Sequence, residues 1–118
     1  MTVNLAYGSG HLPIEVPDDR TTVIEPTHID GLADEKESVI NALQKPIGSQ
    51  SLLDRISPAT KICIAFTDLT RATPNDRIIP WLLEHLGGPS DNITLLNQLG
   101  THRPNTREEL ETMLTPEV

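Results

Sequence analysis

KICIAFTDLTRATPN, residues 61–75, is an apolar run that breaks into a polar loop and then meets a proline. Isoleucine, phenylalanine and threonine at this density, bounded by Pro58 and by the Asp-x-Thr loop, predict a buried strand over 61–67. The downstream pattern fixes the fold class. IIPWLLEHL (78–86) is apolar at helical spacing and stops at Gly87-Gly88, NITLLNQL (92–99) reads as a second strand, and TREELETML (106–114) as a second helix. Strand, loop, helix, strand, loop, helix implies a parallel sheet with a crossover helix, a Rossmann-like α/β unit.

Upstream of that unit, TVNLAY (2–7), HLPIEV (11–16) and TTVIE (21–25) are short β-rich runs separated by Gly8-Ser9-Gly10 and Pro17-Asp18-Asp19. They predict an antiparallel β-meander. Ala33, Val39, Ile40 and Leu43 then recur at helical spacing within Gly31–Lys45, ahead of Pro46 and Gly48, and SLLDRIS (51–57) suggests a short second helix. The fold expected is therefore α/β, an N-terminal antiparallel meander followed by the parallel unit. All 118 residues form one region, an incomplete domain without an internal linker.

Charge and composition narrow the function. Seventeen acidic residues against nine basic ones give a net charge of -8, which argues against a sequence-independent hold on nucleic acid or on an anionic membrane. A small-molecule partner fits better. Cys63 is the single cysteine and lies within the apolar run, so a buried structural thiol in a reducing cytoplasm is expected. No apolar stretch approaches the ~20 residues that span a bilayer. Neither CxxC nor HExxH spacing occurs, so the residues suggest no metal site of their own.

Two loops, DLTRATPN and GTHRPN, leave the carboxyl ends of the two parallel strands, where open α/β sheets bind ligands. Neighbouring strands lie ~4.8 Å apart, so Asp68, Thr70, Arg71, His102 and Arg103 are expected to face one cleft. Each loop also opens a helix. Thr73-Pro74 reads as a cap with proline at the first helical position, and Thr106 with Glu109 as a capping box. Pro80, inside the intervening helix, predicts a bend near Arg77. Asp68 could merely close an Asx turn, and Arg71 could pair with a surface carboxylate of this acidic chain. His102 is the stronger functional candidate: with two guanidiniums beside it, an imidazole stays neutral and able to accept a proton. His11, His28 and His85 lack comparable company.

Tyr7-Gly8, ALQKPIGS (42–49), Asp-x-Thr-Arg-x-x-Pro (68–74) and GTHRPNTREEL (100–110) resemble, in that order, the N-terminal part of the nickel-dependent lactate racemase family. The two loops are specific as an ordered pair. Members racemise or epimerise 2-hydroxy acids with a nickel pincer nucleotide, which accepts the α-hydrogen as hydride while a histidine takes the hydroxyl proton. The resemblance implies that His102 is one of two catalytic bases and that Asp68, Thr70 and Arg71 are polar residues of the substrate and cofactor site, with Arg103 a weaker member.

The chain departs from the pattern before Gly100, where LNQL replaces a run of small residues. The family's cofactor-bearing lysine, nickel-binding histidine and second catalytic histidine match no position here. The expectation is thus a truncated part of the enzyme, inactive alone, not holding the nickel cofactor and prone to self-association through its cut edge. The alternative is a freestanding α/β module that binds a phosphate or carboxylate without chemistry.

Overall fold

The computed structural model describes residues 1–116 and 118. Its polypeptide divides into two compact units, Met1–Gly31 and Leu32–Val118.

The first unit is a hairpin. β1 (Thr2–Tyr7) pairs antiparallel with β2 (Gly10–Glu15), in a register that sets Val3 opposite Ile14 and Leu5 opposite Leu12. Gly8 supplies the positive φ, 56°, that so tight a turn requires. Thr2 Oγ1 donates to Glu15 across the ladder at 2.6 Å, and the Met1 and Val16 backbones exchange bonds at its open end. The antiparallel N-terminal sheet expected from sequence is present with two strands. The third run, 21–25, contributes Val23, Ile24 and Glu25 to a groove beside residues 1–5 but makes no ladder with β1. Its β-branched residues supply propensity, which a strand can use only where a partner edge accepts its N–H and C=O groups.

The second unit carries the parallel pair. β3 (Ile62–Thr67) and β4 (Ile93–Gln98) run parallel in a register from Ile62↔Ile93 to Thr67↔Gln98, with α2 (Asn75–His85) between them in sequence and α3 (Arg107–Leu114) after them. The core is Ile64, Phe66, Ile79, Leu83 and Leu114, flanked by Ile62, Ile93, Leu95, Leu110 and Met113. One face of the sheet is thus packed by α2 and α3. On the opposite face Cys63, Ala65, Thr94 and Leu96 are exposed. The expectation of a buried thiol is corrected by this alternation: Ile62, Ile64 and Phe66 point to the helices, so Cys63 must point away. No helix among the described residues is long and apolar enough to cross a membrane.

α1 (Glu35–Gln44) packs on α2 and is capped by Asp34, whose side chain accepts from the Glu37 N–H at 2.8 Å. Lys36 pairs with Glu84 at 2.7 Å and Arg77 with Glu35, surface pairs that orient the two helices more than they stabilise them. The stretch 51–57 forms only a single 3₁₀ turn, Leu53–Arg55. α2 begins three residues earlier than its apolar pattern and runs on through Pro80. Proline there deprives only the Asp76 carbonyl of a partner, and Asp76 is exposed to water. The helix ends as Gly87-Gly88 predicts: both glycines hold positive φ, the Gly88 N–H returns to the Leu83 carbonyl at 2.8 Å, and the Gly87 N–H returns to Glu84 at 3.1 Å.

Candidate functional site

Because Thr67 stands opposite Gln98, the two parallel strands release their loops side by side at one edge of the sheet. The first loop turns at once, the Arg71 N–H bonding the Asp68 carbonyl at 3.2 Å. The second turns through Gly100, φ 59°, with the His102 N–H on the Leu99 carbonyl at 2.9 Å. Two tight turns that begin in register bring Asp68 and His102 together across 34 residues of chain.

Asp68 is 3% exposed, in a chain where few polar residues are buried at all. Its Oδ1 accepts from the Thr70 hydroxyl at 2.7 Å and from the Thr70 N–H at 3.2 Å, while Oδ2 meets Nδ1 of His102. Those donors hold its carboxyl below the usual carboxylate range, the His102 contact most strongly and Thr70 next, against the opposing effect of burial. The imidazole is exposed by comparison, its side chain 44% accessible. The result is an ionised carboxylate inside and a ring with one edge toward solvent.

The arginines go elsewhere. Arg103 forks onto Glu109, Nη1 to Oε2 at 2.9 Å and Nη2 to Oε1 at 2.6 Å, and also donates to the Pro104 carbonyl at 2.9 Å. Glu109 further accepts from the Thr106 N–H at 2.8 Å and from Asn105 at 3.2 Å, and its carboxyl is pulled down to about 2, chiefly by Arg103. The capping box expected at Thr106 and Glu109 is complete, and Arg103 is built onto it. Arg71 is exposed and has no side-chain hydrogen bond among the described residues. It lines an open groove of about 620 Å³ with Leu69, Thr73, Thr106, Glu108 and Met113. So Asp68, Thr70 and His102 converge, Arg71 borders a groove whose lining includes neither Asp68 nor His102, and Arg103 is committed to the α3 cap. The imidazole expected beside two guanidiniums has a carboxylate as its partner instead.

Asn75 escaped the sequence reading. It is 5% exposed and donates from Nδ2 to the Thr67 carbonyl at 3.0 Å, fastening the first residue of α2 to the last of β3, immediately before Asp68. The Thr73-Pro74 cap expected there is replaced by this bond: Pro74 occupies the cap position and no side chain caps the helix. Asparagine after proline reads as ordinary turn chemistry, so only its burial betrays it. Among the described residues no three His, Cys, Asp or Glu side chains converge as metal ligands. Asp68 is committed to His102 and Thr70, and only the Nε2 edge of His102 is left over, so the described residues do not by themselves make a site for the nickel group that the resemblance implies.

The loops at 68–74 and 100–110, whose residues carry the resemblance to the lactate racemase family, leave the carboxyl edge of the parallel strands side by side. The Lactate racemase N-terminal domain family matches residues 7–118. The chain belongs to that family. It is 29% identical to the lactate racemase of Thermoanaerobacterium thermosaccharolyticum over 114 residues, 92% of this chain and 27% of that protein. It is 40% identical to the lactate racemase of Lactiplantibacillus plantarum over 78 residues, 64% of this chain and 18% of that protein. The aligned part is thus about a quarter or less of the length of these racemases.

Proposed function

We propose that residues 1–118 form the N-terminal part of a racemase that interconverts the enantiomers of a 2-hydroxy acid such as lactate, with His102 as one of its acid/base groups. The observation that carries this reading is the His102–Asp68 pair at the carboxyl edge of the β3–β4 sheet, in a chain whose relatives are lactate racemases. Inverting such a carbon requires its hydrogen to leave one face and return to the other, and the hydroxyl proton must be removed and replaced as this happens. An imidazole with an exposed edge is suited to that proton exchange near neutral pH.

Arg71, exposed and without a carboxylate of its own among the described residues, is the side chain free to clamp the substrate carboxylate in a two-pronged contact. Arg103 acts on substrate only indirectly, by holding the His102 loop to α3. The nickel pincer nucleotide belongs to this reading as the cofactor of the full-length enzyme, and no step of it is assigned to the side chains described here. A cytoplasmic setting is part of the same proposal, supported by a lone cysteine without a disulfide partner.

The test is His102→Asn in the full-length racemase. Asparagine keeps polarity but cannot exchange a proton near pH 7, and a general base contributes roughly 10²- to 10⁴-fold. Racemisation should fall at least ~100-fold in both directions with nickel content unchanged, because the reverse reaction uses the same transfer. Racemisation within a few-fold of the parent at normal nickel content would remove His102 from the chemistry.

A further inference from the structure

We propose that Asp68 is a positioning residue, which fixes the His102 ring with its proton on Nδ1 and so makes Nε2 the atom that exchanges a proton with substrate. The exchange itself rests on the racemase reading above; the tautomer does not.

The hydrogen-bond partners, with the relative acidity of carboxyl and imidazole, give the assignment. Asp68 is buried, yet both its oxygens are taken: Oδ1 receives the hydroxyl and the N–H of Thr70, and Oδ2 faces the imidazole. Thr70's two donors on Oδ1 favour the ionised form, and between a carboxyl of ordinary pKa ~3.9 and an imidazole of ~6.5 the shared proton belongs to the ring. A carboxylate only accepts, so Nδ1 of His102 must donate to it and the neutral ring must leave Nε2 bare. Among the described residues Nε2 has no partner, and the ring is 44% exposed.

With both oxygens occupied and almost no surface, Asp68 has little left with which to touch a ligand directly. Its route to the chemistry is through His102. When Nε2 takes the hydroxyl proton, the O–H bond breaks, an N–H bond forms and the ring becomes a cation. That cation is stabilised by the same carboxylate, whose own protonation never changes. In the opposite sense Nε2 returns the proton, and the ring reverts to the Nδ1–H form. Thr70 is the next link, since it prevents the Asp68 carboxylate from rotating away from the ring. Two tight turns, a buried acceptor and an outward ring edge thus form one chain of hydrogen bonds from the sheet edge to solvent.

The experiment is nitrogen NMR on the chain with ¹⁵N-labelled histidine, the His102 signals being identified by their loss in His102→Asn. At a pH where the ring is neutral, His102 should show a protonated Nδ1 and a bare Nε2. In Asp68→Asn the side-chain amide can donate to Nδ1, so the proton should move largely to Nε2 while the amide spectrum stays dispersed. If that variant does not fold, Thr70→Val, which keeps the carboxylate but removes the hydroxyl bond, should broaden the preference toward a mixture. A parent ring protonated mainly on Nε2, or a tautomer ratio indifferent to these substitutions, would overturn the proposal. In the full-length racemase Asp68→Asn should lower kcat at least ~100-fold with KM within a few-fold. Unchanged kcat would show that the fixed ring is not used for catalysis. Because the tautomer is read without substrate, its failure is separable from failure of the racemase reading, which His102→Asn decides.

Discussion

Asn75 ties α2 to β3 one residue before Asp68, and its replacement should be felt at both ends of that bond. Its amide donates to the Thr67 carbonyl at 3.0 Å and lies 3.4 Å from the Thr67 hydroxyl, in a site where only 5% of the residue is exposed. Asn75→Ala deprives a part-buried carbonyl of that donor, a loss worth about 1–3 kcal/mol. For a small domain with a urea slope of roughly 1.5 kcal/mol/M, a loss of about 2 kcal/mol moves the midpoint down by about 1.3 M. The single tryptophan, Trp81, lies on α2 and reports the transition by fluorescence. Asn75→Asp sharpens the test. The new carboxylate would face the Thr67 carbonyl oxygen, so the loss at pH 7 should exceed that of Asn75→Ala. Burial and the facing oxygen raise that carboxyl's pKa, so part of the loss should return on acidification, when the protonated group can donate again. A midpoint within about 0.2 M of the parent for Asn75→Ala, or an Asn75→Asp protein no more stable in mild acid, would refute the reasoning.

The Glu109 carboxyl is held at about 2 in the fold, well below its ordinary value of 4.5. Its contribution to stability is present above the ordinary value and fades as pH falls from there through about 2; helicity followed by circular dichroism should therefore show an acid loss within that window, which Glu109→Gln suppresses. Gly100 holds φ 59° with nothing near the position a Cβ would take, so Gly100→Ala meets no steric neighbour and should cost only the backbone term, about 1–2 kcal/mol by urea titration.

The second unit was legible because its signals are local and concordant. The 61–67 run, the Gly87-Gly88 stop and the Thr106–Glu109 box each depend on residues within one turn of one another, and each formed as read. What escaped depended on partners distant in sequence. TTVIE has the composition of a strand, but no neighbouring edge pairs with it. Cys63 sits in an apolar run, yet a sheet packed by helices on one side exposes alternate residues of that run. At the site, the two loops could be placed at one edge from the alternation of elements alone. That Asp68 would take His102, and that Arg103 would turn to Glu109, required side-chain geometry that no spacing encodes.

The contact between Asp68 and His102 also bears on how the molecule is made. The pair spans 34 residues, its two loops brought into register by the β3–β4 ladder. It can form only after β3 and β4 have aligned and the entropy of closing the intervening segment has been met. Local turns and caps can fluctuate into place in a partly folded chain, but this pair cannot. Histidine and aspartate are therefore joined only in molecules that have completed the parallel crossover, and partly folded chains carry the same side chains without that arrangement.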